Sequence, residues 1–334
     1  MRKGIKVLTI VVMMMSMLLS GCTIGDTEYV WDLNSVGRND VLSINGEECT
    51  PGEARLYLAN YQNLYGKEYG VDLWTHEFSE DAVDATLEEY VRDITLLQLS
   101  NIICMNQLAK QKELTLSDGE KELVKEAAAD YYQSLTDAEK KYMDIDKNDL
   151  EKFYTKYAIA EKLYENLTEG VNEEVSVDEA RVIRVQQIFV STFEKAEAVA
   201  EELEDGDEFS NVAGTYNEAS SIETTYARGE MVDKVEKAAF ALDNDEISGM
   251  IAVDNGYYFI KCLCKNEEEL TEKNKESIIE KRRKEQFDDV FNAFVEGSEF
   301  ELNPKVWDNI KIDTSGDITT NSFFEVYDSY FKEK

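Results

Sequence analysis

Arg184-Val185-Gln186-Gln187-Ile188-Phe189-Val190 opens, and Gly256-Tyr257-Tyr258-Phe259-Ile260-Lys261 closes, the segment Ala180 to Lys265 on which the architecture turns. Both are short runs of β-branched, aliphatic and aromatic residues, the composition of half-buried strands. Between them Ala196 to Leu203 reads as helix, Asp205-Gly206-Asp207-Glu208-Phe209 as a turn, and the stretch to about Tyr216 as a second short helix. Strand, helices and a returning paired strand predict an α+β unit.

Further along, Arg228-Gly229-Glu230-Met231, then Val235-Glu236-Lys237-Ala238-Ala239-Phe240-Ala241-Leu242, then Asp245-Glu246-Ile247-Ser248 and Gly256-Tyr257 follow in order. With the opening strand they resemble the parvulin-type (PpiC, rotamase) peptidyl-prolyl isomerase family, over about a quarter of the chain. The resemblance implies a small antiparallel sheet with helices. It also implies a proline seat to which Met231, Val235 and Phe240 would contribute as substrate-binding residues.

Rotation about an X-Pro bond meets a barrier of roughly 18–20 kcal/mol, because it breaks amide resonance. A catalyst needs an apolar seat for the ring and polar groups that favour the twisted amide. In the family a cross-strand histidine pair near a cysteine or aspartate supplies the polar part. Here the histidine positions hold Gln187 and Tyr258, Ala219 stands at the cysteine or aspartate position, and Val235 replaces the aromatic of the seat. Ser221-Ile222-Glu223-Thr224-Thr225 takes the place of a glycine-rich strand, and the single histidine, His76, lies far upstream. No catalytic residue is assigned. Gln187 and Tyr258 are the degenerate site candidates, expected to hydrogen-bond each other across the sheet, since a carboxamide accepts and a phenol donates.

Upstream the pattern is helical. Val41 to Gly46 alternates and turns at Asn45-Gly46, and Thr50-Pro51-Gly52-Glu53 reads as a capping box with proline at the first helical position. The helix it opens carries Leu56, Tyr57, Tyr61, Leu64 and Tyr65. A second helix is expected from about Glu80 to Lys112, and a further one from Asp149 to Asn166. Ser117 with Glu120, and Thr136 with Glu139, are two more capping boxes. Asp144, Asp146, Asn148 and Asp149 look like the start of a calcium loop, but its glycine position is Asp149 and its twelfth is Thr155, so they read as a helix cap. After Glu267 a charged helix runs to about Phe294. Asn303 to Trp307 forms a short element, and Phe323, Phe324, Tyr327, Tyr330 and Phe331 share a face of a last helix expected to pack on the helical lobe.

The expected organisation is a signal peptide at 1–21, a tether at 22–40, an N-terminal helical chaperone lobe at 41–178, the parvulin-like domain at 179–266 and C-terminal helices at 267–334 that return to the lobe. This order resembles the PrsA/SurA type of extracytoplasmic foldase.

Arg2, Lys3 and Lys6 precede an apolar run from Val7 to Leu19. That run ends in Leu19-Ser20-Gly21-Cys22, which matches the lipobox of bacterial lipoproteins. The resemblance implies lipidation at Cys22 and a protein held on the extracytoplasmic side of the cell membrane. Seventy acidic residues against 35 basic ones give a net charge of −35, which excludes nucleic acid as a partner and favours solubility. Cys49, Cys104, Cys262 and Cys264 show no disulfide framework and no metal-ligand spacing, and no cofactor is implied. The expected function is a membrane-anchored folding factor acting on unfolded or partly folded exported polypeptides, with isomerase activity weak or lost. The oligomeric state stays open, a homodimer included. The rival functions are an active prolyl isomerase and a ligand-binding lipoprotein without chaperone activity.

Overall fold

The computed structural model describes residues 31–32, 39–69, 74–75, 77–80 and 83–332. The signal segment, Cys22, His76 and most of the stretch expected as a tether lie outside the described residues. The chain divides into two compact units, one built from residues up to Glu169 and from Lys284 onward, the other from Gly170–Arg283.

The first unit begins with β1 (Trp31–Asp32), β2 (Leu42–Ile44) and β3 (Glu47–Cys49), followed by α1 (Pro51–Tyr69). Next come β4 (Glu77–Glu80), β5 (Val83–Thr86), α2 (Leu87–Gln111), α3 (Asp118–Ser134), α4 (Asp137–Met143) and α5 (Lys147–Thr168). The second unit holds α6 (Val177–Ala180), β6 (Ile183–Val190), α7 (Phe193–Glu204), α8 (Phe209–Tyr216), β7 (Glu223–Tyr226), α9 (Asp233–Ala239), β8 (Ile251–Val253) and β9 (Gly256–Cys264). Along α10 (Glu268–Glu296) the chain re-enters the first unit, which ends with β10 (Phe300–Leu302), α11 (Pro304–Trp307) and α12 (Phe323–Phe331). The protein is α+β, mostly helical with small antiparallel sheets.

Local chemistry explains the boundaries. Asn45 and Gly46 both have positive φ, 49° and 83°, as a two-residue hairpin between β2 and β3 requires. Ser117, Thr136 and Asp146 cap α3, α4 and α5 in reciprocal boxes with Glu120, Glu139 and Asp149. The acidic cluster from Asp144 to Asp149 is thus a helix start. At α1 only half the expected box forms: Thr50 Oγ1 accepts from the Glu53 N–H, while the buried Glu53 carboxylate takes the Lys156 ammonium at 2.8 Å.

The second helix starts seven residues later than expected. Thr86 and Glu89 form a capping box that fixes the start at Leu87, and Val83 belongs to a strand paired with Glu77–Glu80. Two features of the first unit escaped periodicity because they are too short to show it. Trp31–Asp32 of the expected tether pairs in parallel with β10, which in turn pairs antiparallel with β2. No helix among the described residues is long and apolar enough to cross a membrane.

The core of the first unit is aromatic and closed by the C-terminal chain. Phe323 is 0% exposed and stacks on Tyr154 at 4.3 Å between ring centroids. Ahead of it, Glu139 is buried as well. One carboxylate oxygen accepts from the Thr136 N–H and hydroxyl, and the other from the N–H groups of Thr319 and Thr320 at 2.9 and 2.8 Å and the Thr319 hydroxyl. Burial opposes ionisation of this carboxyl, but the hydrogen bonds outweigh it and hold it below the ordinary glutamate range.

In the second unit the strand order is β7-β6-β9-β8, antiparallel throughout. Ile188, Val190 and Phe259 face a core shared with Val199 of α7 and with Val212 and Ala213 of α8. Ile183, Val185, Ile260 and Cys262 face the opposite side, where Val235 and Ala239 of α9 cover them. At Gly256 a Cβ would lie 2.4 Å from the Val190 carbonyl oxygen and 2.6 Å from the Phe189 ring, so only glycine lets β9 start against β6.

Glu139→Gln should lower the stability of the first unit by about 1–3 kcal/mol at neutral pH, because an amide cannot accept at both ends. The folded carboxyl titrates below its unfolded value. Its stabilisation is therefore complete above roughly pH 4.3 and disappears as pH falls through the lowered value. Urea unfolding at pH 7, 5 and 3 should show the gap between the two proteins closing at the acid end.

Candidate functional site

The face of the second sheet that carries Val185 and Ile260 also gathers the residues expected to act on a prolyl bond. Gln187 is buried, 6% exposed, because β6 runs through the middle of the sheet. A buried carboxamide must find partners, and Gln187 finds two. Its Oε1 accepts from the Tyr226 hydroxyl at 2.9 Å, and its Nε2 donates to the Ser221 carbonyl at 3.0 Å. The expected bond between Gln187 and Tyr258 is therefore not made. Tyr258 pairs in register with Phe189, ring centroids 4.8 Å apart, and no described residue engages its hydroxyl.

Tyr226 is the residue that reading of the sequence missed. It pairs in register with Ile183, four positions from Gln187 along β6, and reaches Gln187 by the length of its side chain. Alternation along Ser221–Thr225 could not have pointed to it. Burial pushes the Tyr226 phenol up, and Tyr258 and Glu230 add to the effect, so it stays a neutral donor.

The motif Arg228-Gly229-Glu230-Met231 builds a turn. Gly229 has φ 86°, and its N–H donates to the Glu236 carboxylate at 2.7 Å; the Ala227 N–H donates to Glu230 at 2.7 Å. Arg228 donates to both carboxylate oxygens of Asp178, at 2.9 and 3.0 Å, and lies 4.4 Å over the Phe240 ring. Arg181 stacks over the same ring at 5.2 Å. The turn leaves Met231 half-buried against the core, while Val235 and Phe240 are only 2% and 7% exposed. Of the three residues expected to line a proline seat, Met231 presents the most surface. Val235 and Phe240 are held inside the packing of α9.

Ala219 follows α8 in a bend closed by Asn217, whose Oδ1 accepts from the Ala219 and Phe189 N–H groups. It brings a methyl group and no acid, base or nucleophile. Cys262 is buried beneath α9 with its thiol pushed up by burial. Among the described residues no group of three or more His, Cys, Asp or Glu side chains is arranged to hold a metal ion. The site thus offers two phenols, one committed carboxamide and an apolar wall. That set can bind a peptide and donate to a carbonyl, and it contains no imidazole.

Residues 165–273 match the family of PPIC-type PPIase domains. The foldase protein PrsA of Halalkalibacterium halodurans is 26% identical over 237 residues, 65% of this chain and 71% of that protein. Foldase protein PrsA 1 of Listeria monocytogenes is 30% identical over 103 residues, 29% of this chain and 35% of its own length. The crystal structure of the peptidylprolyl isomerase PrsA from Bacillus cereus aligns over 76% of this chain and 99% of its own, with 18% identity and a TM-score of 0.37. The chain carries a PPIC-type parvulin domain and has homologues among the PrsA foldases.

Tyr226→Phe removes the donor to a buried Gln187 oxygen and should cost about 1–3 kcal/mol in the second unit. Tyr258→Phe should change stability by less than about 0.5 kcal/mol, since its hydroxyl holds nothing. Hydrogen exchange of the β6 amides in both variants separates the two. Equal protection would show that Gln187 does not depend on Tyr226.

Proposed function

We propose that this protein is an extracytoplasmic protein-folding factor, anchored in the cell membrane by lipid on Cys22, that binds exported polypeptides before they are folded. Its parvulin-type domain would act mainly as a binding and packing module, with prolyl isomerisation weak or lost. The observation that carries this reading is the commitment of Gln187. The carboxamide at a family histidine position is held by Tyr226 and Ser221 and is not free to act on a bound amide.

Homology to foldases supports the folding role, and the net charge of −35 suits a factor that must keep aggregation-prone clients in solution. Peptide binding by the parvulin domain would use Met231 and the Tyr258 phenol, the members of the set with surface and hydrogen-bonding capacity to offer. The lipobox ending at Cys22 supports the anchor, since acylation there would leave the rest of the chain outside the cytoplasm.

The decisive measurement pairs two assays on the same protein. In NMR exchange on X-Pro peptides the full chain should leave the rate near its uncatalysed value, tens to hundreds of seconds per event. In a light-scattering assay it should slow aggregation of a denatured secreted client. Turnover that disappears in Tyr258→Phe and Gln187→Ala would assign a working isomerase instead, and no effect on the client would remove the chaperone role. Cys22→Ser should abolish labelling by radioactive palmitate in cells and release the protein from the membrane fraction.

A further inference from the structure

Residues 308–322, between α11 and α12, form neither helix nor strand, yet their main chain is bound in detail. Eight main-chain groups of this segment and the start of α12 are taken by side chains of α1, α4 and α5. Tyr142 donates to the Lys311 carbonyl at 2.9 Å, and Gln62 takes both the carbonyl and the N–H of Asp313, at 2.6 and 2.8 Å. Glu139 accepts from the Thr319 and Thr320 N–H groups, and Asn63 donates to the Thr320 carbonyl at 2.8 Å. Asn60 accepts from the Phe323 N–H at 3.0 Å, and Tyr154 donates to the Phe323 carbonyl at 2.8 Å.

Beyond this ladder two adjacent rings enter a pocket of phenols. Phe323 has Tyr57, Tyr131 and Tyr154 at 5.5, 5.4 and 4.3 Å, and Phe324 has Tyr61 and Tyr157 at 5.4 and 5.5 Å. Tyrosine keeps a polar tip when it is buried, and tyrosines accompanied by amide side chains are enriched on surfaces that bind another chain. The Tyr57 hydroxyl is buried in this pocket without a hydrogen-bond partner among the described residues.

We infer that the first unit contains a peptide-binding groove that reads main chain through Gln62, Asn60, Asn63 and Glu139 and seats a pair of adjacent aromatic residues in the tyrosine pocket, and that residues 310–324 of this same chain are its resident ligand. The partner it fits is an extended polypeptide bearing two neighbouring aromatic side chains, with little demand on the flanking sequence, because eight of the contacts to the resident are to main chain and the side-chain hydrogen bonds are to the hydroxyls of Thr319 and Thr320. This rests on the proposed role in binding unfolded polypeptides and names the segment class such a site would take. A client would enter by displacing the resident segment, so occupancy in cis sets the apparent affinity.

The test uses the full chain and a fluorescein-labelled synthetic peptide of residues 309–332. Binding should be saturable and at least about tenfold tighter to the double variant Phe323→Ala, Phe324→Ala than to the unaltered chain, because that variant weakens the resident's seating and leaves the tyrosines of the pocket in place. A peptide carrying the same two alanines should not bind. Should the variant fail to fold, hydrogen exchange of the unaltered chain decides. Excess peptide should speed exchange at Asp313, Thr319, Thr320 and Phe323 and leave the α2 amides unchanged. No binding to either protein, or no change in those amides at saturating peptide, overturns the groove. Such a failure with client aggregation still suppressed would leave the folding role intact. Peptide binding without suppression would do the reverse.

Discussion

Phe323 cannot be buried until the chain has returned from Arg283, because the rings that enclose it come from α1, α3 and α5. The first unit is therefore discontinuous by construction. Its N-terminal helices leave an aromatic socket open, and a segment about 170 residues downstream of Tyr154 fills it. A contact this distant in sequence has a high closure entropy, although the dependence on loop length is only logarithmic. The compact second unit, Gly170–Arg283, lies within that loop. The capping boxes of α2 to α5 satisfy orphan N–H groups locally, without contribution from the returning segment.

The same rule, that buried polar groups must be partnered, governs both units with opposite results. In the first unit Glu139 and Asn60 use their buried capacity to hold an irregular segment in place. In the second, Gln187 uses it to hold Tyr226 and the Ser221 carbonyl, which closes off the centre of the sheet face. A histidine in the middle of that sheet could exchange a proton with a neighbour. A carboxamide cannot, and once its oxygen and nitrogen are both bound it contributes order. In the proposed reading, an amide–phenol pair at this place trades chemistry for rigidity, with a partner supplied by a different strand.

Much of the architecture was legible in the sequence because it is local. The strands at Arg184–Val190 and Gly256–Lys261, the boxes at Ser117 and Thr136, and the face of Phe323, Phe324 and Tyr327 are all patterns within a few residues. What was hidden is non-local or short. The box at Thr86 was overlooked because Val83 and Leu87 continue a helical spacing across it, although one belongs to a strand. Trp31–Asp32 and Phe300–Leu302 are too brief to carry a period, and they find each other only in the fold. The Gln187–Tyr258 pairing was the natural expectation for residues at two family positions on adjacent strands. It failed because Tyr226, four positions off the register of Gln187, has the reach to arrive first.

Val235 shows why a position carried over from a family needs its surroundings to mean anything. It stands on α9 at the position where the family resemblance implies an aromatic, and its short branched side chain ends inside the core with Ile183, Val185 and Ile260. Phe240 is drawn the same way, its ring lying against Arg181 and Arg228, both of which pair with Asp178. With those two withdrawn, the partly exposed apolar side chains on this face are Met231, Ile251, Val253 and the rings of Tyr226 and Tyr258. Phenols are broad, sequence-tolerant contacts that still offer a hydrogen bond. In each unit one phenol is held by an amide side chain, Tyr131 by Asn60 and Tyr226 by Gln187.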